Sequence, residues 1–227
     1  MSNVKQANVL KRGRGRPRTF DRSTAIQQAM KLFWDRGYEG TTFDDLIGAM
    51  KISPSSFYHE FGSKEQLYRE AVEHYVNVRL SYFPRVLSAH RDTRAAFESL
   101  LEEGAALLAD DASPAGCMIS LAGTHLPPHL RSVADFAKGV RKVSKQTLVD
   151  RLRKGVSDGD LPPESNVKEL ADYFGVVLRG MAAQARDGAS RKELLAIARV
   201  AMRAWPSTSR VVSTSKSARG TNAAGKP

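Results

Sequence analysis

The chain has 227 residues, a single cysteine and a formal net charge of +11 at pH 7. One cysteine excludes an internal disulfide and favours a reducing compartment. No apolar run approaches the roughly 18 residues that a membrane-spanning helix requires, and the basic, polar N-terminus lacks the hydrophobic stretch of a secretion signal. We therefore expect a cytoplasmic protein with no membrane partner.

The positive charge is concentrated at the two ends of the chain. Residues 1–20 carry six basic and no acidic side chains, and residues 207–227 carry four basic and no acidic ones. Residues 21–206 hold 25 basic and all 24 acidic side chains, so the body of the protein is nearly neutral. Because both ends are polar, we expect them to be disordered and to provide the long-range attraction for phosphate.

Helix patterns fill the body of the chain. An amphipathic pattern begins at Asp21 and stops near Gly37, and residues 42–45 match a capping box that starts a second helix. The further predicted helices run from Ser63 toward Pro84, over about 93–109, briefly after Pro114, over about 130–157, and from the caps Asn166 and Ser190. No strand alternation and no repeat is visible, so the predicted fold class is all-α.

Residues 53–65 are the most informative stretch. Ser53 can cap a very short helix, and Pro54 suits its first position, where a backbone N–H would have no helical partner. Phe57 and Phe61 lie four residues apart and can anchor one face in a core. The polar side chains that then face outward are those of Ser55, Ser56, Tyr58 and His59. A short helix that presents hydrogen-bonding groups from a hydrophobic anchor is what DNA recognition requires.

The three helices within residues 21–61, with a tight turn between the last two, predict a helix-turn-helix. The stretch combines a glycine–aromatic break, a capped second helix and a Tyr-x-x-Phe-x-x-Lys run. The residues that carry the pattern are Ala29, Leu32, Phe33, Gly37, Tyr38, Thr41, Thr42, Ile47, Ser53, Phe57, Tyr58, Phe61, Lys64, Glu65 and Leu67. From Asp21 to about Tyr75 the chain resembles the DNA-binding domain of the TetR family of transcriptional regulators.

The resemblance implies a role for each polar residue of this domain. Thr42 would cap the second helix and bond a phosphate of double-stranded DNA. Base edges or phosphates in the major groove would be met by Ser53, Ser55 and Ser56, and backbone phosphates by Tyr58, His59 and Lys64. The alternative for Tyr58 and His59 is an exposed polar face without a role on DNA.

Two positions depart from the family's pattern. Lys51 stands in the turn where the family often has glycine, so we expect a turn that is either strained or differently shaped. Glu60 places an acid beside the expected phosphate contacts, where it would repel DNA unless it is turned away. Residues 21–68 carry five basic and seven acidic side chains, so this domain needs added positive charge to bind DNA well.

The added charge is expected from the N-terminal arm. Residues 13–18, Gly-Arg-Gly-Arg-Pro-Arg, resemble an AT-hook core, in which glycine lets the strand lie deep in a narrow groove and arginine is drawn to its negative potential. Arg14, Arg16 and Arg18 are therefore candidate DNA contacts, with Arg14 and Arg16 in the minor groove. The alternative is an unspecific basic tail.

The resemblance also implies a division into four parts. These are a disordered arm (1–20), the helix-turn-helix domain (21–68), a helical effector-binding and dimerisation domain joined to it by a long helix (69–206), and a disordered tail (207–227). The last two helices carry apolar stripes that suit half of an intermolecular four-helix bundle, although the same stripes could pack on their own domain. The candidate residues of a homodimer interface are Leu170, Phe174, Val177, Leu178, Met181, Leu194, Ile197 and Ala201.

An effector pocket is expected within residues 83–157, although each candidate is of a type that is more often ordinary core. The candidates are Phe97, Leu101, Cys117, Met118, Leu121, His125, Phe136 and Val140. Cys117 is either a thiol sensor near a helix N-terminus or a buried structural thiol. His125 and His129 have no matching carboxylate or cysteine set, so we expect no metal and no cofactor.

These patterns favour a homodimeric repressor that binds a palindromic operator and is released by a small-molecule effector. The alternative is an architectural DNA-binding factor, or an activator, without effector control. An enzyme is not expected, because the sequence has no Gly-rich phosphate loop, no nucleophile elbow, no metal-ligand set and no convincing catalytic triad.

Overall fold

The structure is a computed structural model that describes residues 20–120, 122 and 126–206. Within these residues nine α-helices follow one another, which confirms the all-α class. They are α1 (Arg22–Arg36), α2 (Phe43–Met50), α3 (Pro54–Phe61), α4 (Lys64–Tyr75), α5 (Tyr82–Ala89), α6 (Thr93–Leu108), α7 (Arg131–Asp158), α8 (Val167–Arg186) and α9 (Arg191–Ala201). In the same part of the chain, no helix is both long and apolar enough to cross a membrane.

Several predicted features lie outside the described residues. They are the arm with Arg14, Arg16 and Arg18, the tail from residue 207 onward, and the pocket candidates Leu121 and His125.

The helices begin at the predicted cap residues. The Thr42 side chain accepts a hydrogen bond from Asp45 N at 3.1 Å, and Thr42 N donates to the Asp45 carboxylate at 2.9 Å, which completes the capping box. Ser190 and Glu193 form the same reciprocal pair at the start of α9. Ser63 caps α4 without a reciprocal bond, because its hydroxyl accepts from Gln66 N at 3.1 Å and no bond returns to the Ser63 backbone. Because these bonds join residues only three positions apart, the first residues of the helices could be predicted from the sequence.

The predicted long helix from Ser63 to Pro84 is interrupted. Helix α4 ends at Tyr75, and Val76–Leu80 form a π-helical turn before α5 begins. Pro84 is the third residue of α5, within the first turn, where a missing backbone N–H removes no helical hydrogen bond.

The prediction of a short helix after Pro114 was wrong. The described residues there form turns and bends, and Gly116 has a φ of +78°, outside the helical region. The Gly116 N–H donates back to Leu108 O at 3.0 Å, so the chain folds against the end of α6 instead of starting a helix. A further 3₁₀ turn, Pro128–Leu130, precedes α7.

The first hydrophobic cluster joins α1, α2, α3 and α4. Phe33 of α1 meets Tyr68 of α4 edge to face, with ring centroids 5.1 Å apart. Met118, Ile119 and Val133, from much later in the chain, are buried in the same cluster. The DNA-binding helices therefore share a core with the segment after α6 and with the start of α7.

The second hydrophobic cluster is built by α5 to α9. Phe97, Phe174 and Trp205 form its aromatic centre, with ring centroids 5.0, 5.3 and 5.6 Å apart. Helix α8 contributes its inner face along most of its length, which fixes it between α6, α7 and α9.

A buried arginine holds the end of α5 and the start of α6 against α7. Arg151 donates through Nε to Leu87 O at 2.9 Å and through Nη2 to Arg91 O at 2.9 Å and His90 O at 3.2 Å. It also donates through Nη1 to the hydroxyl of Thr93, which in turn donates to an Asp160 carboxylate oxygen at 2.9 Å. One side chain thus satisfies carbonyl groups that the end of a helix leaves without partners.

We expect Arg151→Gln to lower the free energy of unfolding by about 2–4 kcal/mol, because it leaves several buried carbonyl groups without donors. Equilibrium urea unfolding followed by circular dichroism measures the change. The matched control is Arg153→Gln on the same helix, where the side chain is exposed and the expected change is within about 0.5 kcal/mol. Equal losses in the two variants would contradict the role of Arg151.

Candidate nucleic-acid interface

Helix α3 stands on a buried aromatic anchor. Phe57 has no exposed surface and Phe61 is also buried, so the spacing of four places one face of α3 in the first cluster. Ser53 caps the helix by accepting from Ser56 N at 3.1 Å, and Pro54 occupies its first position. The anchoring and capping predicted for this helix are confirmed.

The opposite face of α3 is polar and faces solvent. Tyr58 is 59% exposed, and the His59 side chain is 85% exposed. The Ser53 hydroxyl lies 2.9 Å from those of both Ser55 and Ser56, so three hydroxyl groups cluster at the N-terminal end of the helix. Each can donate or accept, which suits either base edges or phosphate oxygens.

Tyr58 is held by α2 without losing its exposure. Its ring stacks on Phe43 with centroids 5.4 Å apart, and Phe43 also contacts Phe57 at 4.8 Å. The aromatic contact fixes the angle between α2 and α3, while the Tyr58 hydroxyl remains available to a partner.

The turn between α2 and α3 holds its lysine in the left-handed conformation. Lys51 has φ +55° and ψ +45°, and it is the one non-glycine residue with positive φ in the described part of the chain. The Ile52 N–H donates to Ile47 O, which closes the turn. A left-handed conformation costs a non-glycine residue roughly 1–2 kcal/mol, so the turn carries the strain that was one of the two expectations.

Glu60 is paired with α1 but stays beside the expected DNA contacts. Its carboxylate lies 4.0 Å from Arg22 Nε, and Arg22 also donates to the Glu60 carbonyl oxygen at 3.3 Å. The other carboxylate oxygen lies 3.9 Å from His59 Nε2, and Glu60 lines the same cleft as Ser55 and Ser56. Arg22 therefore offsets part of the negative charge that Glu60 places near DNA.

Two of the predicted phosphate contacts are engaged within the domain. The Thr42 hydroxyl donates to the Asp45 carboxylate at 2.7 Å as part of the capping box. The half-buried Lys64 places its Nζ 4.4 Å from the centre of the Tyr38 ring. Burial lowers the pKa of Lys64, and the charge of Glu39 opposes this shift. Both side chains would have to rearrange before they could bind phosphate.

One basic residue beside α3, Lys51, was not among the predicted DNA contacts. Lys51 lines, together with Gln28, Ser55, Ser56 and His59, a cleft between the start of α1 and the start of α3. The sequence pattern marked Lys51 only as a turn residue, although its position directly before a recognition helix was the available signal. It places a positive charge beside the serine hydroxyls.

The body contains a partly open cavity of about 90 Å³ between α4, α5, α6, α7 and α8. Of the six described pocket candidates, only Cys117 lines it. Phe97 and Leu101 are in the second hydrophobic cluster, whereas the other three pack on the DNA-binding helices. Those three are Met118, Phe136 and Val140.

Most of the predicted dimer residues are inside the protomer. Five of the eight are buried in the second cluster, and the remaining three are partly buried against it. The buried ones are Phe174, Leu178, Met181, Leu194 and Ala201, and the partly buried ones are Leu170, Val177 and Ile197. The apolar residues left exposed on the outer face of the same two helices are Tyr173, Val176 and Val200, which we call the outer strip.

Comparisons with known proteins agree with this geometry. A sequence model of the family described as "Bacterial regulatory proteins, tetR family" matches residues 25–71. The HTH-type transcriptional repressor ComR of Escherichia coli K12 is 32% identical over 87% of this chain and 94% of its own. BdcR, an HTH-type transcriptional repressor of the same strain, is 27% identical over 82% and 90%.

The fold match extends to a protein solved on DNA. A cysteine variant of the TetR family transcriptional regulator CifR, in complex with 26-bp double-strand operator DNA, has 42% sequence identity and a TM-score of 0.81. The match covers 85% of this chain and all of that one. Because ComR and CifR match over nearly their whole lengths, the likeness includes the body as well as the DNA-binding helices. The chain belongs to the TetR family of bacterial regulatory proteins.

Proposed function

We propose that this protein is a homodimeric transcriptional repressor that binds a two-fold symmetric operator and is released from it by a small molecule. The observation that carries the proposal is the exposed polar face of α3 on the buried Phe57–Phe61 anchor. A helix fixed in this way can enter a major groove without unfolding its own core. CifR, which shares 42% of its sequence with this chain, was solved on operator DNA.

The polar face divides into two kinds of contact. Ser55 and Ser56, near the start of α3, are placed to meet base edges, which carry the sequence information. Tyr58 and His59, one turn later, would bind backbone phosphates and set the register of the helix. Lys51 would add a charge next to the serines.

A dimer is required because a single short helix reads too few base pairs. Two recognition helices related by a two-fold axis meet half-sites about 34–36 Å apart. The outer strip provides a surface for this dimer: Val176 of α8 is 57% exposed and Val200 of α9 is 59% exposed. Gly180, also exposed on α8, would let a partner helix approach closely.

The proposal is tested by capturing fragments of the source genome with the purified full-length protein at about 150 mM salt, where unspecific attraction is weakened. We expect enrichment of one palindromic sequence near a promoter. Enrichment of A/T-rich DNA without half-site symmetry would overturn the proposal and favour an architectural factor.

The same DNA capture with variants of α3 tests whether this helix determines the preferred DNA sequence. Ser55→Ala is expected to relax the preference at one position in each half-site, whereas Tyr58→Phe keeps the ring on Phe43 and weakens binding to all sequences alike. Ser88→Ala, which removes an exposed hydroxyl group at the end of α5, serves as the control. Unchanged preference and affinity in both α3 variants would exclude α3 as the recognition helix.

The N-terminal arm is expected to contribute charge and a minor-groove contact. Replacing Arg14 and Arg16 with alanine should weaken operator binding and reduce the slope of log affinity against log salt by about 2, because two phosphate neutralisations are lost. Fluorescence anisotropy over a salt series measures both quantities. The control replaces Lys216 and Arg219, which removes the same charge from the other end. Equal effects of the two pairs would indicate an unspecific basic tail.

Negative charge placed on the outer strip is expected to prevent dimerisation. Val176→Glu combined with Val200→Glu should convert the protein to monomers at micromolar concentration, because two carboxylates would lose their hydration at the interface. Light scattering measures the mass. Val143→Glu on α7, an equally exposed valine outside the outer strip, should leave the dimer intact. A wild-type monomer would contradict the dimer itself.

A further inference from the structure

The cavity in the body combines an apolar floor with a basic rim. Its floor includes Tyr75, Tyr82, Leu148 and Leu178. Burial raises the pKa of both tyrosines above the ordinary value, so they remain neutral hydrogen-bond donors at physiological pH. The cavity has a volume of about 90 Å³ and is partly open to solvent, so it suits a small ligand.

Among the described residues, four basic side chains and no acidic side chain line this cavity. Two of them have carboxylate partners nearby: Arg79 pairs with Asp110 at 3.1 Å, and Lys145 pairs with Asp172. The other two, Arg141 of α7 and Arg179 of α8, form no ion pair among the described residues, which include every aspartate and glutamate of the chain.

Arg141 of α7 and Arg179 of α8 both line the cavity, and their positive charges repel each other. Burial lowers the pKa of the half-buried Arg141, and the neighbouring charge of Arg179 lowers it further. Two guanidinium groups that repel each other at the edge of a partly dehydrated cavity are stabilised by a shared anion. The planar fork of each group also matches the two oxygens of a carboxylate.

We infer that this cavity binds a small amphipathic anion, whose carboxylate-like head lies between Arg141 and Arg179 and whose short apolar part lies against the tyrosine and leucine floor. The inference rests on the proposed function, since it names the chemical class of the effector. A neutral molecule of the same shape would leave the repulsion between the two arginine charges in place.

Arg141 also connects the cavity to the DNA-binding helices. Its Nη1 donates to Ile119 O at 3.0 Å and to Ala122 O at 2.7 Å. Ile119 and Met118 are buried in the first cluster with α1 and α4. An anion that draws the Arg141 guanidinium toward Arg179 therefore competes with the carbonyl groups that hold this segment in place.

The inference is tested by calorimetric titration of the full-length protein with butyrate, and separately with butyramide and n-butylamine, up to about 10 mM at constant ionic strength. Butyramide has the size and shape of butyrate without its charge. We expect butyrate to bind at least about tenfold more tightly than either analogue, in line with the greater strength of charge-assisted hydrogen bonds. Equal binding of butyrate and butyramide, or no butyrate binding, overturns the inference.

Variants that remove a positive charge test whether butyrate binds at Arg141 and Arg179. Arg179→Gln, at an exposed position, should weaken butyrate binding by about tenfold, and Arg141→Gln by at least as much. Arg153→Gln removes one positive charge from the exposed side of α7 and should change the affinity by less than about twofold. Equal weakening in Arg179→Gln and Arg153→Gln would mean that butyrate responds only to net charge.

Operator binding measured on the same samples separates the two proposals. A protein that binds its operator but not butyrate refutes only the ligand class. A protein that binds butyrate through Arg179 but no symmetric DNA refutes the proposed function and leaves the anion site standing.

Discussion

One contact ties the DNA-binding helices to the rest of the molecule: the side chain at the end of α8 caps the end of α1. Arg186 donates through Nη1 to Trp34 O at 2.8 Å and through Nη2 to Asp35 O. These carbonyl groups lie in the last turn of α1, where they have no helical partners, and a guanidinium there also complements the negative end of the helix dipole. Helix α8, which carries part of the outer strip, is thereby fixed to α1. Helix α1 in turn packs against α4.

A second connection runs through the segment after α6. Gly116 passes so close to α8 that an added Cβ would stand 2.6 Å from Ala182 O, so only glycine fits there. The two buried residues that follow, Met118 and Ile119, enter the core of the DNA-binding helices. Cys117, which lies between Gly116 and Met118, lines the cavity. The cavity therefore borders the segment that joins the two hydrophobic clusters.

The helix-turn-helix could be predicted because its determinants are local. The Ser53 cap, the Phe57–Phe61 spacing and the turn at Lys51 all lie within a few residues of one another. The dimer surface could not be predicted in the same way, since an apolar stripe shows that residues are buried without showing what covers them. Phe174, for example, packs on Phe97 and Trp205 of its own chain. The rim of the cavity was equally hidden, because only tertiary packing brings arginines of α7 and α8 together.

Release from DNA requires that the effector bind some arrangement of the protein more tightly than the DNA-competent one. Arg141 provides such a difference, because the nitrogen that holds Ile119 and Ala122 belongs to the group that an anion would attract. Hydrogen bonds from charged groups contribute about 1.5–3 kcal/mol each, while allosteric coupling is typically about 1–3 kcal/mol. The free energy lost when these two bonds weaken is therefore large enough to couple the cavity to the position of α1 and α4. A change in that position would alter the spacing of the two recognition helices in a dimer.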